Sequence, residues 1–389
     1  MFHKMPFILL ILIVLIVILN PIIPLQYKQF LYSISLSIKS IITFLLPFII
    51  FGLLFKTSIA LATNTTKIIV SIIALVCVSN FCSTMISHYV GAWVYKFDFS
   101  IILPQNGLDL QALWSFNLPK ILDNDHAMFA SIIAGILCSK SKSPFLTKFL
   151  EYLEKYIASI LKAIIYIIPM FIVGFIVKLQ YDGKALLILK EYSLIFLIIA
   201  LAQFTYIFIL YYLLNHLSFT AFLNNIKNML PAAISAFSSM SSAASMPLTI
   251  IGAENNAKNK HIIRSVIPIT VNIHLIGDCF AIPILAYAII KSFGLAEPSL
   301  MQYVIFALYF VIAKFSVAAI PGGGIIVMLP ILNQHLGFNT DMMPIITTLY
   351  ILFDPIITCA NVLGNGAFAQ FIDKLTTYKN KEIEALSKG

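Results

Sequence analysis

Apolar residues fall in long unbroken runs separated by short polar interruptions. Runs of about 20 apolar residues, the length of a helix that crosses a bilayer, cover about 6–25, 38–62, 68–95, 152–178 and 188–215, with a shorter run at about 127–139. Pro47 predicts a break in the second run and Pro169 lies near the exit of the one that begins at 152. The third run carries an unusual polar load of Ser79, Asn80, Ser83, Thr84, Ser87 and His88. The most polar internal segment, about 96–125, is expected to be irregular or to form short helices on the water side. Beyond residue 230 the pattern changes. Interrupted apolar segments occupy about 231–250, 262–291 and 300–336 before a last helix over about 343–373 and a lysine- and glutamate-rich tail.

The first interrupted segment, PAAISAFSSMSSAASMPLTI, places four serines (Ser238, Ser239, Ser241, Ser242) in five positions. Hydrocarbon offers no hydrogen-bond partners, so such a stretch survives at membrane depth only inside protein or beside a watery cavity. With Pro247 expected to stop a continuous helix, it predicts a re-entrant hairpin of two half-helices meeting at a serine-rich tip. Half-helix N-termini turn unpaired N–H groups into such a site and can hold a carboxylate. A Ser/Ala-rich interface between two crossing helices accounts for the same composition. The second, Ile320-Pro321-Gly322-Gly323-Gly324, favours an open turn whose backbone can approach a ligand.

Hydrophobic residues make up 60% of the chain and charged residues 11%, which excludes a soluble domain and gives an all-α polytopic membrane protein. The net charge of +9 carries no nucleic-acid signal, because the lysines fall in loops between apolar runs. If the N-terminus is cytoplasmic, inside loops hold roughly twice the Lys and Arg of outside loops, which places both ends in the cytoplasm. The five cysteines lack metal-type spacing and read as small core residues. Lys4 before an apolar run resembles a signal peptide, but without a small-residue cleavage site it is expected to be a retained first helix.

Two interrupted segments, each followed by a helix with polar residues in its middle, are the sequence mark of an inverted-repeat transporter. From about 114 to 375 the chain resembles the dicarboxylate/amino acid:cation symporters, the bacterial glutamate transporter homologues. AFSSMSSAASMPLTI is similar to their first hairpin tip and VIPITVNIHLIGD to their broken seventh helix; IPGGG is similar to their second tip, and Asp354 with CANVLGNG to their eighth helix. The resemblance implies eight transmembrane helices plus two re-entrant hairpins, a homotrimer in a bacterial inner membrane, and elevator-type exchange with the second hairpin as gate. It implies scaffold over 1–66 and 98–186, transport domain over 67–97 and 187–375, and a cytoplasmic tail over 376–389. It also implies a small-molecule substrate held by Ser241, Ser242, Gly322, Gly323, Asp354, Thr358 and Asn361. There Asp354 takes an ammonium and Asn361 a carboxylate.

This sequence departs from the family pattern at several positions. The family arginines that read a side-chain carboxylate fall at Ile357 and Met240, and Arg264, the chain's one arginine, matches a loop-side position expected to be structural. A small neutral amino acid or other zwitterion is therefore expected in place of an acidic one. Of two family metal-binding aspartates, one has become Ile276 and the other Asn365. Hard cations need oxygen ligands, and Ile276 has none. Asp278 is a displaced carboxylate, and a sodium ion, if bound, would use Asp278, Asn361 and Asn365. Lys314 is expected either to pair with Asp278 or freed carbonyls as a stand-in cation, or to snorkel to an interface. His274 and His88 are candidates for proton coupling, and Asn272 and Asn80 add polar groups near the broken helix. No cofactor other than sodium or a proton as coupling ion is implied. Rival classes are a membrane enzyme, for which GxSxG and HExxH are missing, an anion-conducting channel, and a degenerated carrier without coupling.

Overall fold

The computed structural model describes residues 5–63, 67–97, 110–119, 121–139, 143–183, 185–317 and 322–386. Every regular element among them is helical. In order these are α1 (Met5–Leu19), α2 (Leu25–Thr63), α3 (Lys67–Lys96), α4 (Asn124–Cys138), α5 (Pro144–Tyr181), α6 (Ala185–Leu214), α7 (Phe219–Ser239), α8 (Ser242–Asn256), α9 (Lys260–Thr270), α10 (Ile276–Ser292), α11 (Leu300–Ala313), α12 (Gly323–Leu336) and α13 (Met342–Leu386). Five of them, α2, α3, α5, α6 and α13, are long and apolar enough to cross a membrane; α1, α4, α11 and α12 contain shorter apolar stretches. The chain is an integral membrane protein.

Local chemistry sets most boundaries. Ser143, Ser218, Asn259 and Ser299 stand before α5, α7, α9 and α11, and each side-chain oxygen accepts from a backbone N–H of the first turn, satisfying a donor that the helix cannot. Pro144 opens α5 at a position where the missing N–H costs nothing. Gly337, at φ +70°, closes α12 in the left-handed conformation.

Several expectations need correction. Pro47 does not break α2, which is continuous from Leu25 and so also takes in residues 26–37, expected to precede it. A full break in lipid would orphan four N–H and four C=O groups, whereas an internal proline removes one bond. Pro247 likewise sits inside α8; the interruption falls earlier, at Met240 (φ +50°) and Ser241. Left-handed geometry at a non-glycine costs roughly 1–2 kcal/mol, and Met240 is held in it while 3% exposed. Lys148 and Lys155 lie within α5, not in a loop between apolar runs. α13 runs on to Leu386, through what was expected to be a tail. Ile320 and Pro321, half of the expected second tip, lie outside the described residues, as do Asp98 and Asp109.

Packing places two groups of helices side by side. α2 packs on α4 and α5; a Cβ on Gly174 of α5 would lie 2.2 Å from the Leu31 carbonyl oxygen, so glycine permits that crossing. Ser33, Ser37 and Ser40 form a stripe down α2 that receives the non-helical segment 110–119. They accept from Leu113 N (2.7 Å), Trp114 Nε1 (3.0 Å) and Leu118 N (2.8 Å). In the other group α10 is the hub. It is buried along its whole length except Lys291, as a helix apolar on every side must be, and it packs against α3, α6 and α13. Gly277 of α10 sits where a Cβ would meet the Ile357 carbonyl oxygen of α13 at 2.3 Å.

The base of the α7–α8 pair is tied by polar side chains. Asn228 donates to Asn256 (2.8 Å), Asn256 to the Asn225 carbonyl (3.1 Å) and Asn225 to Asn215 (3.0 Å). Asp373 of α13 accepts from the Lys258 and Asn259 amides, both at 2.9 Å. This polar cluster ties the base of the hairpin to the end of α6 and to α13.

Candidate functional site

Three helix interruptions converge on one small, partly open polar cavity. The first is the α7–α8 turn at Met240–Ser242. The second is the non-helical stretch 271–275 between α9 and α10, and the third is the arm on either side of residues 318–321. Asn80 of α3 braces the second by donating to the Ile273 carbonyl (2.7 Å) and accepting from Leu275 N (3.4 Å). The fourth wall is one face of α13. Asp354, Thr358 and Asn361, spaced i, i+4, i+7, line the cavity together with Ser241, Ser242, Asn272, Asp278, Gly324 and Tyr350. Room for a free molecule is small, with an empty volume of about 340 Å³ that includes its opening.

Two carboxylates define the chemistry. Asp354 is 4% exposed; one oxygen accepts from Gly322 N (2.9 Å) and the other from Thr358 Oγ1 (3.0 Å). Asp278 is 1% exposed, in the first turn of α10, where the helix dipole favours a negative charge. Its Oδ1 accepts from Tyr350 Oη (2.9 Å) and Asn361 Nδ2 (3.2 Å), and its Oδ2 from Lys314 Nζ (2.7 Å). Asn361 Oδ1 in turn accepts from Asp278 N at 3.3 Å. Lys314 is fully buried in the short 3₁₀ turn Lys314–Ser316, with its ammonium 4.4 Å from the Phe310 ring centroid. The snorkelling alternative is therefore corrected: the ammonium points inward because its counter-charge is there.

The remaining expected residues are dispersed. Asn365, four residues beyond Asn361, accepts from Thr270 Oγ1 at 2.6 Å and does not line the cavity. Gly322, at φ +73°, reaches the site through its bond to Asp354, but neither Gly322 nor Gly323 lines the cavity; Gly324 does. Ser241 Oγ caps α8 by accepting from Ala244 N (3.2 Å). His274 is 1% exposed and turns away from the cavity: Nε2 meets Ser79 Oγ at 2.9 Å, Phe368 stacks at 4.3 Å, and Nδ1 has no partner among the described residues. His88 Nδ1 lies 2.6 Å from Tyr287 Oη, far along α3. Arg264 donates to Glu254 at 2.5 Å, outside the site. Tyr350 was not singled out from sequence, although its position four residues before Asp354 on the same polar face was a usable signal.

Residues 126–375 match the model of the Sodium:dicarboxylate symporter family. Excitatory amino acid transporter 1 of Rattus norvegicus is 29% identical over 164 residues, covering 41% of this chain and 30% of that protein. The same transporter of Homo sapiens is 28% identical over 164 residues, with the same coverage. A putative sodium-dependent excitatory amino acid transporter, glt-4, of Caenorhabditis elegans is 28% identical over 151 residues, 39% of this chain and 30% of its own. The matched part thus spans about 30% of the length of these curated relatives.

Proposed function

The chain belongs to the sodium:dicarboxylate symporter family, and from that premise we propose a secondary active transporter, not an enzyme, for a small amino acid with a neutral side chain. The observation that carries this reading is the small polar cavity among three helix interruptions with Asp354 on its wall. A buried carboxylate whose described partners are one backbone amide and one hydroxyl can accept a substrate ammonium, since Gly322 N and Thr358 Oγ1 leave lone pairs free. Asn361 offers an amide near the place for a carboxylate, with Ser241, Ser242 and the Gly322–Gly323 backbone on the other sides. Ile357 and Met240 give no guanidinium to a second carboxylate, and an unpaired buried charge is expensive.

In this reading α9 and α10 together form one broken crossing. The pairs α7–α8 and α11–α12 form re-entrant hairpins, making eight crossings and two hairpins. Residues 67–97 and 187–375 move as the transport domain against a scaffold of 1–66 and 98–186. The chain assembles as a homotrimer in a bacterial inner membrane with both termini in the cytoplasm. Coupling is to protons or absent, because Ile276 has no oxygen and Asn365 is occupied by Thr270.

The names of the relatives favour a second reading, a conventional sodium-coupled carrier of acidic amino acids. Uptake into proteoliposomes separates the two. The expected result is saturable uptake of a neutral amino acid without a sodium gradient, with an apparent affinity about tenfold or more weaker in Asp354→Asn. Micromolar uptake of glutamate or aspartate that requires sodium would reject the proposal. Ion flux without saturable uptake would indicate a channel.

A further inference from the structure

Family membership implies a sodium ion as coupling ion, and the residues of this chain do not fit one beside Asp278. Sodium needs several oxygen ligands around it. Here the Asp278 carboxylate is already surrounded by three hydrogen-bond donors: the Lys314 ammonium, the Tyr350 hydroxyl and the Asn361 amide. Donors facing a carboxylate from three sides make an anion's environment. A metal ion placed there would meet N–H and O–H hydrogens. Lys314 is fully buried and Asp278 nearly so, and they lie in hydrogen-bond contact.

We propose that the Lys314 ammonium is a tethered counter-cation that takes the place of a bound monovalent ion at Asp278 and fastens the end of α11 to the start of α10. The geometry supports both halves. Lys314 closes α11 and opens the turn leading toward residues 318–321, while Asp278 lies in the first turn of α10. On the far side of that turn, Gly324 lies against the same carboxylate: a Cβ there would come within 2.8 Å of Asp278 Oδ2. Both arms of the α11–α12 pair therefore converge on Asp278. The ion carries its charge on a covalent chain, so occupancy is independent of the ion concentration outside, and the electrostatic contribution of the pair is present at every sodium concentration.

The inference deepens the transport reading by naming the residue that removes sodium dependence, and its test uses no transported substrate, so the two can fail separately. The measurement is the unfolding temperature of the purified chain in detergent. It is made in sodium chloride, in N-methyl-glucamine chloride and in ethylammonium chloride at equal ionic strength. Wild type is expected to unfold at the same temperature in all three. Lys314→Ala leaves Asp278 buried without its counter-charge, so in N-methyl-glucamine it should unfold about 5 °C or more below wild type. Sodium or ethylammonium, small enough to enter the vacated space, should restore part of that loss in a saturable way. Lys314→Ala/Asp278→Ala removes both charges and should lose the response to either cation. Two results would overturn the proposal. One is a saturable, sodium-specific rise in wild type, an arm that does not depend on any variant folding. The other is a Lys314→Ala protein as stable as wild type that ignores added cations.

Discussion

Replacing Gly324 by alanine tests whether the Asp278 cluster is as tightly packed as its distances indicate. An ideal Cβ at this position lies 2.5 Å from Tyr350 Oη, 2.8 Å from Asp278 Oδ2 and 3.3 Å from Tyr350 Cζ. These are not the loose ends of flexible side chains. Tyr350 is 3% exposed, its hydroxyl donates to Asp278, and Asp278 is held by Lys314 and Asn361. To reach ordinary van der Waals contact the hydroxyl must retreat by about 0.9 Å, which stretches its bond to the carboxylate. A hydrogen bond to a charged group contributes about 1.5–3 kcal/mol and overpacking costs about 1–3 kcal/mol; these describe one displacement and do not sum. Alanine recovers at most about 1 kcal/mol of helix propensity at this helical position. The net expectation for Gly324→Ala is a loss of about 0.5–3 kcal/mol. Tyr350→Phe removes the hydroxyl that clashes, so Gly324→Ala/Tyr350→Phe should lose about 1–2 kcal/mol less than the two singles added together, as contacting residues do in a double-mutant cycle. Thermal unfolding of the four proteins in one detergent reads both quantities. A Gly324→Ala protein within about 0.5 kcal/mol of wild type, or a strictly additive pair, would refute the reasoning.

Other consequences are open to direct measurement. Asp354→Asn should keep the fold, because its one carbonyl oxygen can still accept from Gly322 N while the Thr358 hydroxyl turns to accept from the new NH2 group. It should weaken binding of an ammonium-bearing ligand by about tenfold or more, as the loss of about 1.5–3 kcal/mol from a charge-assisted bond requires; calorimetric titration with neutral amino acids reads it. Asp373→Ala removes the acceptor of the Lys258 and Asn259 amides; both residues are exposed, so water replaces part of the loss and the cost is about 1–2 kcal/mol. Faster hydrogen exchange confined to the α8–α9 connection would accompany the lower unfolding temperature, and unchanged exchange there would contradict it. The Arg264 hydrogen bond holds the Glu254 carboxyl below its ordinary value of 4.5. Its folded pKa is depressed, so the stabilisation is present above about pH 4.5 and is lost as pH falls through the folded value. Thermal unfolding of wild type and Glu254→Gln should therefore differ most near neutral pH and converge in acid, by a small amount because Arg264 is 61% exposed. A gap that widens in acid would contradict the assignment.

What the sequence determined by itself is the set of properties that depend on periodicity and on short motifs. Apolar run length requires membrane helices, because hydrocarbon cannot satisfy an open backbone. Serine and glycine clusters mark where helices are interrupted, and Asp354, Thr358 and Asn361 share a face because 3.6 residues make a turn. Proline misled at Pro47 and Pro247, since local propensity ranks below the number of backbone groups a break would orphan in lipid. Tertiary structure alone decided the rest. Lys314 and Asp278 are 36 residues apart, and no spacing rule pairs residues at that distance. Whether a lone lysine in an apolar run turns out to an interface or inward depends on which counter-charge the fold brings to it. The same holds for His274, whose ring meets Ser79 from 195 residues away and so faces α3 and not the cavity. The helix crossings at Gly174, Gly277 and Gly324 follow the same logic: the glycine is visible in the sequence, but the atom that would collide with its Cβ belongs to another helix.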